Sequence, residues 1–196
     1  MIEIKEEILK SIAPCSMFCS TCTGCNYGQI SYHANELLKL LEGHEEFLDK
    51  NLKEEYRHKL GEFSTFKKKL KKYAHPKCSG CRNGRSNGCS IKNCIIPDCV
   101  KEHQVNFCAE CLEFPCDKIN SSIYKRTTIE KWLNGNKAIK ENGIEKYYED
   151  NKNISHYINY SKLNSKWYNY KSINPNCKHC ELKHLCKYYQ DKNLVK

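Results

Sequence analysis

Long apolar runs are missing from this sequence. No stretch of about 18 apolar residues occurs, so no membrane-spanning helix is expected. The N-terminal MIEIKEEILK is amphipathic and charged and has no apolar signal core. A soluble, cytoplasmic protein is therefore expected. Leu, Ile and Val are thin as well. Many of the apolar letters behind the 39% hydrophobic fraction are tyrosines and cysteines, and the mean hydropathy is −0.77. A small apolar core follows, and with it a need for another source of stability. Arginine is scarce: only Arg57, Arg82, Arg85 and Arg126 occur, and the other basic residues are lysines. Lysine meets phosphate as a point charge, whereas bidentate base reading leans on arginine, which argues against sequence-specific DNA binding. Catalytic signatures are missing too. There is no phosphate loop, no G-x-S-x-G and no H-E-x-x-H. Asp98, Asp117, Glu110 and Glu113 lie near cysteines but read as surface ion-pair partners. No catalytic residue is assigned.

What the chain has in abundance is cysteine, 15 in all. In a reducing compartment clustered cysteines favour metal over disulfides, and an odd count leaves a thiol over in any disulfide scheme. The stretch from Cys78 to Cys116 holds eight: Cys78, Cys81, Cys89, Cys94, Cys99, Cys108, Cys111 and Cys116. Two pairs, Cys78/Cys81 and Cys108/Cys111, have the C-x-x-C spacing that lets one tight turn aim two sulfurs at one point. A second knot precedes it, Cys15, Cys19, Cys22 and Cys25, with Gly24 available for a positive-φ turn. Its first three cysteines have the C-x3-C-x2-C spacing of radical-SAM enzymes. The aromatic residue usual before the third cysteine is replaced by Thr21, and no strand–helix alternation accompanies it. A compact four-thiolate site is the better reading. The tail adds Cys177, Cys180 and Cys186, whose C-x2-C-x5-C spacing also occurs around cubane clusters. All fifteen are candidate metal ligands, for zinc or, alternatively, a 4Fe-4S cluster. Each four-cysteine zinc site carries about −2, so three would bring the formal charge of +10 to roughly +4.

Grouping is open at this level. Cys15, Cys19, Cys22 and Cys25 can share one ion. Cross-bracing would pair Cys78/Cys81 with Cys108/Cys111 and leave Cys89, Cys94, Cys99 and Cys116; a sequential arrangement is equally allowed. Phe107, Leu112, Phe114 and Pro115 are expected to cover the thiolates. The loop from Arg82 to Gly88 is expected mainly to connect ligands. His179 and His184 lie among the tail cysteines and are further candidate ligands.

The remainder reads as helix: residues 2–12 with Ile4, Ile8 and Ile12, 34–56 with a break at Gly43, 62–73, 116–134 and 136–150, with breaks at Gly135 and Gly143. The fold class is mainly α with irregular, metal-stapled cysteine loops and little β. Two parts are expected, a cysteine-rich metal-binding domain over 1–150 and an aromatic, lysine-rich connection with the cysteine tail over 151–196. Lys67, Lys68 and Lys71 on one helix face, with Trp167 and Tyr170 beyond, are candidate contacts for RNA or single-stranded nucleic acid. The same residues also read as ordinary solvated surface.

IAPCSMFCSTC, then CSGCR, then C-x4-C-x4-C leading into FCAECLEFPCDKI, resembles the DUF3795 family of cysteine-rich bacterial and archaeal proteins. IKENGIEKYYEDNK is similar to its C-terminal helix. The resemblance implies zinc binding and carries no established activity. Three roles follow as expectations: a non-catalytic zinc protein whose sites hold loops for a protein partner, an iron–sulfur protein in electron transfer or accessory to a redox enzyme, or an RNA binder.

Overall fold

The computed structural model describes residues 4–83, 89, 91, 93–120 and 124–158. It is mainly helical, and among the described residues there is no strand, only isolated bridges at Ile12/Phe18 and Cys25/Cys78. Seven α-helices occur there: α1 (Glu6–Ser11), α2 (Gln29–Leu40), α3 (His44–Asn51), α4 (His58–Ala74), α5 (Ile96–Glu102), α6 (Arg126–Asn142) and α7 (Ile144–Asn151).

The N-terminal helix forms where its isoleucine spacing places it and buries Ile8, with Ile12 just past its end and Pro14 following. The expected 34–56 helix is broken at Gly43, as its sequence predicts, into two. The first begins earlier, at Gln29, and Gly43 takes a left-handed φ of 77° to start α3. The expected 62–73 helix is the longer α4. It lies against α2 over Ala34, Leu70 and Ala74, and both Ser31 Oγ and Asn35 Nδ2 donate to the Ala74 carbonyl at 2.9 Å. Those two bonds satisfy a carbonyl that α4 would otherwise leave unpaired at its end.

The expected break at Gly135 is absent. Residues 116–120, 124 and 125 are not helical, and α6 runs unbroken through Gly135 to Gly143, where φ is 83°. Gly135 is there for closeness. A Cβ on it would stand 2.2 Å from Ser16 Oγ, 2.8 Å from Ser16 Cβ and 2.8 Å from the Tyr147 hydroxyl. Ser16 itself sits at a φ of 68°, in the left-handed turn of the first cysteine loop. Gly135→Ala is therefore expected to destabilise by about 1–3 kcal/mol through overpacking, despite alanine's better helix propensity. Urea unfolding checks it, and a rise in stability would refute the contact.

α5 has no counterpart among the helices expected from the sequence. Pro97 at its start and Asp98 in its first turn are the signals that mark it. Ile96 and Val100 point from it into an apolar cluster with Phe114, Ile119, Ile129, Trp132 and Leu133, and Cys108 belongs to the same cluster. A second cluster joins Ile8, Ile12, Phe18, Phe107, Ile139 and Tyr148. Sulfur and hydrocarbon thus share one interior.

Candidate metal centre

Twelve cysteines fall within the described residues. Cys177, Cys180 and Cys186, with His179, His184, Trp167 and Tyr170, lie outside them. The C-x-x-C segments are turns closed by short-range bonds: Cys22 N–H to Cys19 O at 3.0 Å, Cys25 N–H to Cys22 O at 3.3 Å and Cys111 N–H to Cys108 O at 3.1 Å. Such turns place both sulfurs on one side of the backbone. The loops are also tied to one another. Cys108 N–H donates to Pro14 O at 3.0 Å, Asn26 N–H to Cys78 O at 2.9 Å and Cys78 N–H to Gly24 O at 3.0 Å. Gly24 is not at positive φ; Gly80 is, at 88°, where a Cβ would meet the Tyr27 hydroxyl at 2.3 Å.

Two groups of thiols result. One small cavity, of about 20 Å³, is lined by Cys99, Cys108, Cys111 and Cys116 together with Val100, His103, Val105, Phe114 and Trp132. That is room for one water-sized body. Cys108/Cys111 therefore stand with Cys99/Cys116 and not across from Cys78/Cys81. The covering residues also differ from expectation. Leu112 is fully exposed and Pro115 is exposed, because the turn through Cys111 carries them outward. Phe107 is buried in the other cluster with the Arg82 guanidinium 4.7 Å above its ring. Val100, Val105 and Trp132 close the cavity with Phe114.

The other group gathers Cys15, Cys19, Cys22, Cys25, Cys78, Cys81, Cys89 and Cys94, whose charges act on one another. Burial first, then repulsion from neighbouring thiolates, raises Cys15 and Cys19 far above an ordinary thiol and Cys81 to about 12. Burial likewise raises Cys108 to about 12. Without a cation these sulfurs hold their protons; a bound dication reverses that balance and releases them. No three His, Cys, Asp or Glu side chains among the described residues form a ready-made cage. Closing on an ion requires the sulfurs to draw inward.

Charge-favouring groups surround the thiols. Trp132, 1% exposed, carries a buried indole N–H without a hydrogen-bond partner. It lies in the same cavity as Cys108 and favours the ionised form of that sulfur. Tyr124 donates to Cys94 Sγ at 3.5 Å. The hydroxyls of Ser20 and Thr21, between Cys19 and Cys22, are buried and unpartnered. Asn136, fully buried on α6, accepts from Ala109 N–H at 2.9 Å and donates to Trp132 O at 2.8 Å, holding the Cys108–Cys111 turn. Sequence reading missed Trp132 and Asn136 as parts of the site, since nothing in their spacing links them to cysteines. Arg82 is structural. It donates to the carbonyls of Leu9 (3.0 Å) and Asn106 (2.8 Å).

Residues 152–158 fold back on the first cysteine loop. Tyr157 accepts from Thr23 N–H at 3.1 Å, and Lys131 Nζ donates to His156 O at 2.8 Å. His156 Nδ1 lies 3.0 Å from Phe18 O, which in the neutral ring makes it the donor. Burial, helped by the Lys131 charge, lowers His156 from 6.5 to about 4. The unfolded chain thus takes up the proton first. This contribution to stability is complete above pH 6.5 and is lost as pH falls toward 4. His156→Asn, which keeps a donor, should lose less melting temperature over that window than the parent; parallel acid profiles would refute the assignment.

Lys67 pairs with Glu45 at 2.8 Å, while Lys68 and Lys71 are exposed. Among the described residues no helix is long and apolar enough to cross a membrane.

Fold and site define a helical protein organised around clustered cysteine loops. It belongs to the family described as protein of unknown function, DUF3795, whose model matches residues 11–121. That span contains all twelve described cysteines. No curated protein and no solved structure matches the chain.

Proposed function

We propose that this protein is a non-catalytic zinc protein whose four-thiolate sites hold its loops in shape for a protein partner in a reducing compartment such as the cytoplasm. The observation that carries this reading is the buried, unpartnered Trp132 N–H beside Cys108 in a cavity lined by four sulfurs. Leaving such a donor unpaired costs roughly 1–3 kcal/mol, and an ionised sulfur is the acceptor at hand. A thiolate persists there only with a cation to balance it. Cys99, Cys108, Cys111 and Cys116 would hold one ion, in apolar surroundings that suit soft sulfur ligands. A closed four-sulfur site keeps no open coordination position, so the ion acts as a staple and does not take part in catalysis. Leu112, fully exposed on the turn between Cys111 and Cys116, supports a partner-facing role for that loop.

Purification under anaerobic conditions followed by elemental analysis tests this. The expected result is colourless protein with several zinc ions per chain. Brown protein containing iron and acid-labile sulfide would replace zinc with the cluster alternative. Folded protein carrying neither metal overturns the reading.

A further inference from the structure

Eight thiols in one group leave the question of which four share an ion. We propose that the N-terminal group holds two ions in an interleaved arrangement, Cys15 and Cys19 with Cys81 and Cys94 on one, Cys22 and Cys25 with Cys78 and Cys89 on the other. This rests on the metal reading above and adds the ligand sets.

The geometry separates the sulfurs along the loops. Cys25 and Cys78 are neighbours on paired backbones: they form a parallel bridge, framed by Asn26 N–H to Cys78 O at 2.9 Å and Cys78 N–H to Gly24 O at 3.0 Å. Cys19 and Cys81 line one cavity together, beside Leu9, Ile12 and Arg82, and neither Cys25 nor Cys78 lines it. Cys15 and Cys94 pack against the same apolar cluster around Trp132 and Leu133. The thiolates acting on Cys15 are Cys81, Cys19 and Cys94, the whole of its set. Cys19 feels Cys81 first and then Cys25, Cys78 and Cys22, so it borders the other set. Cys78 acts most on both Cys25 and Cys89, with Cys22 acting on each and Cys94 also acting on Cys89. Cys81 and Cys19 stand at the seam between the two ions: Cys81 feels Cys89 first, then Cys94 of its own set and Cys78.

The chain would then alternate between ions: the first two cysteines of the knot go to one, the next two to the other, and the second segment supplies partners in crossed order. Such crossing makes each ion a tie between two segments far apart in sequence, where a sequential grouping would close only a local loop. Longer closed loops remove more entropy from the unfolded chain.

Two experiments on the full chain test the ligand sets. In the first, zinc per chain is measured for Cys25→Ser, Cys78→Ser and the double variant. The expected result is one ion lost in each single variant and the same single ion lost in the double. Loss of two ions in the double, with one in each single, assigns the two cysteines to different ions and overturns the proposal. The second needs no substitution and so survives a variant that fails to fold. The chain is loaded with NMR-active cadmium and the cysteine Hβ protons are correlated to the metal. Cys25 and Cys78 should couple to one cadmium, Cys15 and Cys94 to another. Coupling of Cys15 and Cys25 to the same cadmium refutes interleaving while leaving metal binding intact; absence of any bound zinc or cadmium refutes the metal reading itself.

Discussion

A strong chelator is expected to unfold this protein at room temperature. A structural zinc site contributes about 10 kcal/mol or more, which equals or exceeds the roughly 5–15 kcal/mol net stability of an ordinary domain. The hydrocarbon here cannot make up the difference. The α2–α4 pair buries only Ala34, Leu70 and Ala74 together, while Leu40 and Phe47 are exposed. The larger cluster around Trp132 has Cys108 inside it and Cys15, Cys94, Cys111 and Cys116 packed on its edge. Once the ion leaves, burial returns protons to sulfurs such as Cys81 and Cys108. What is lost is the tie between loops, with no new charge repulsion. Circular dichroism at the helix bands should collapse with excess chelator and return on adding zinc. An unchanged melting curve in chelator sinks the premise that metal organises the fold.

Asn136→Ala should be the most damaging conservative change outside the cysteines, at about 3 kcal/mol: an orphaned buried N–H costs roughly 1–3 kcal/mol and the vacated space adds to it. The N–H in question belongs to Ala109, in the middle of the Cys108–Cys111 turn. For a chain of this size the loss converts to a fall of about 6–12 °C in melting temperature. Asn142→Ala supplies the comparison. Its side chain bonds the carbonyl four residues back, as Asn136 does, but at an exposed position. Its replacement should stay within about 0.5 kcal/mol. Equal effects at the two positions would show that the bond to Ala109 contributes nothing particular.

The comparison of these asparagines also shows what the sequence could and could not tell. Periodicity finds elements whose partners are local. Ile8 and Ile12 mark the first helix, the Phe63 to Leu70 spacing marks α4, and Gly143 marks a break. Asn136 and Gly135 carry no such mark. A polar residue in an amphipathic helix reads as surface and a glycine reads as an interruption. Their roles depend on Ala109 and Ser16, which the fold brings to them from far away in sequence. The cysteines divide in the same way. Spacing identifies pairs on one turn, such as Cys108/Cys111, because that geometry is local. Their company, Cys99 and Cys116, depends on where α5 lies.

The family resemblance ends at residue 121, yet α6 begins at Arg126 and supplies Trp132, Leu133, Gly135 and Asn136 to the interior. The segment by which relatives are detected is therefore shorter than the segment that builds the shared interior. Cut at the end of the match, the polypeptide would keep every described sulfur but expose Val100, Phe114 and Phe107 where α6 had shielded them, and an aggregating product is the natural outcome. The end of the family match and the end of the packed interior fall at different places along this chain.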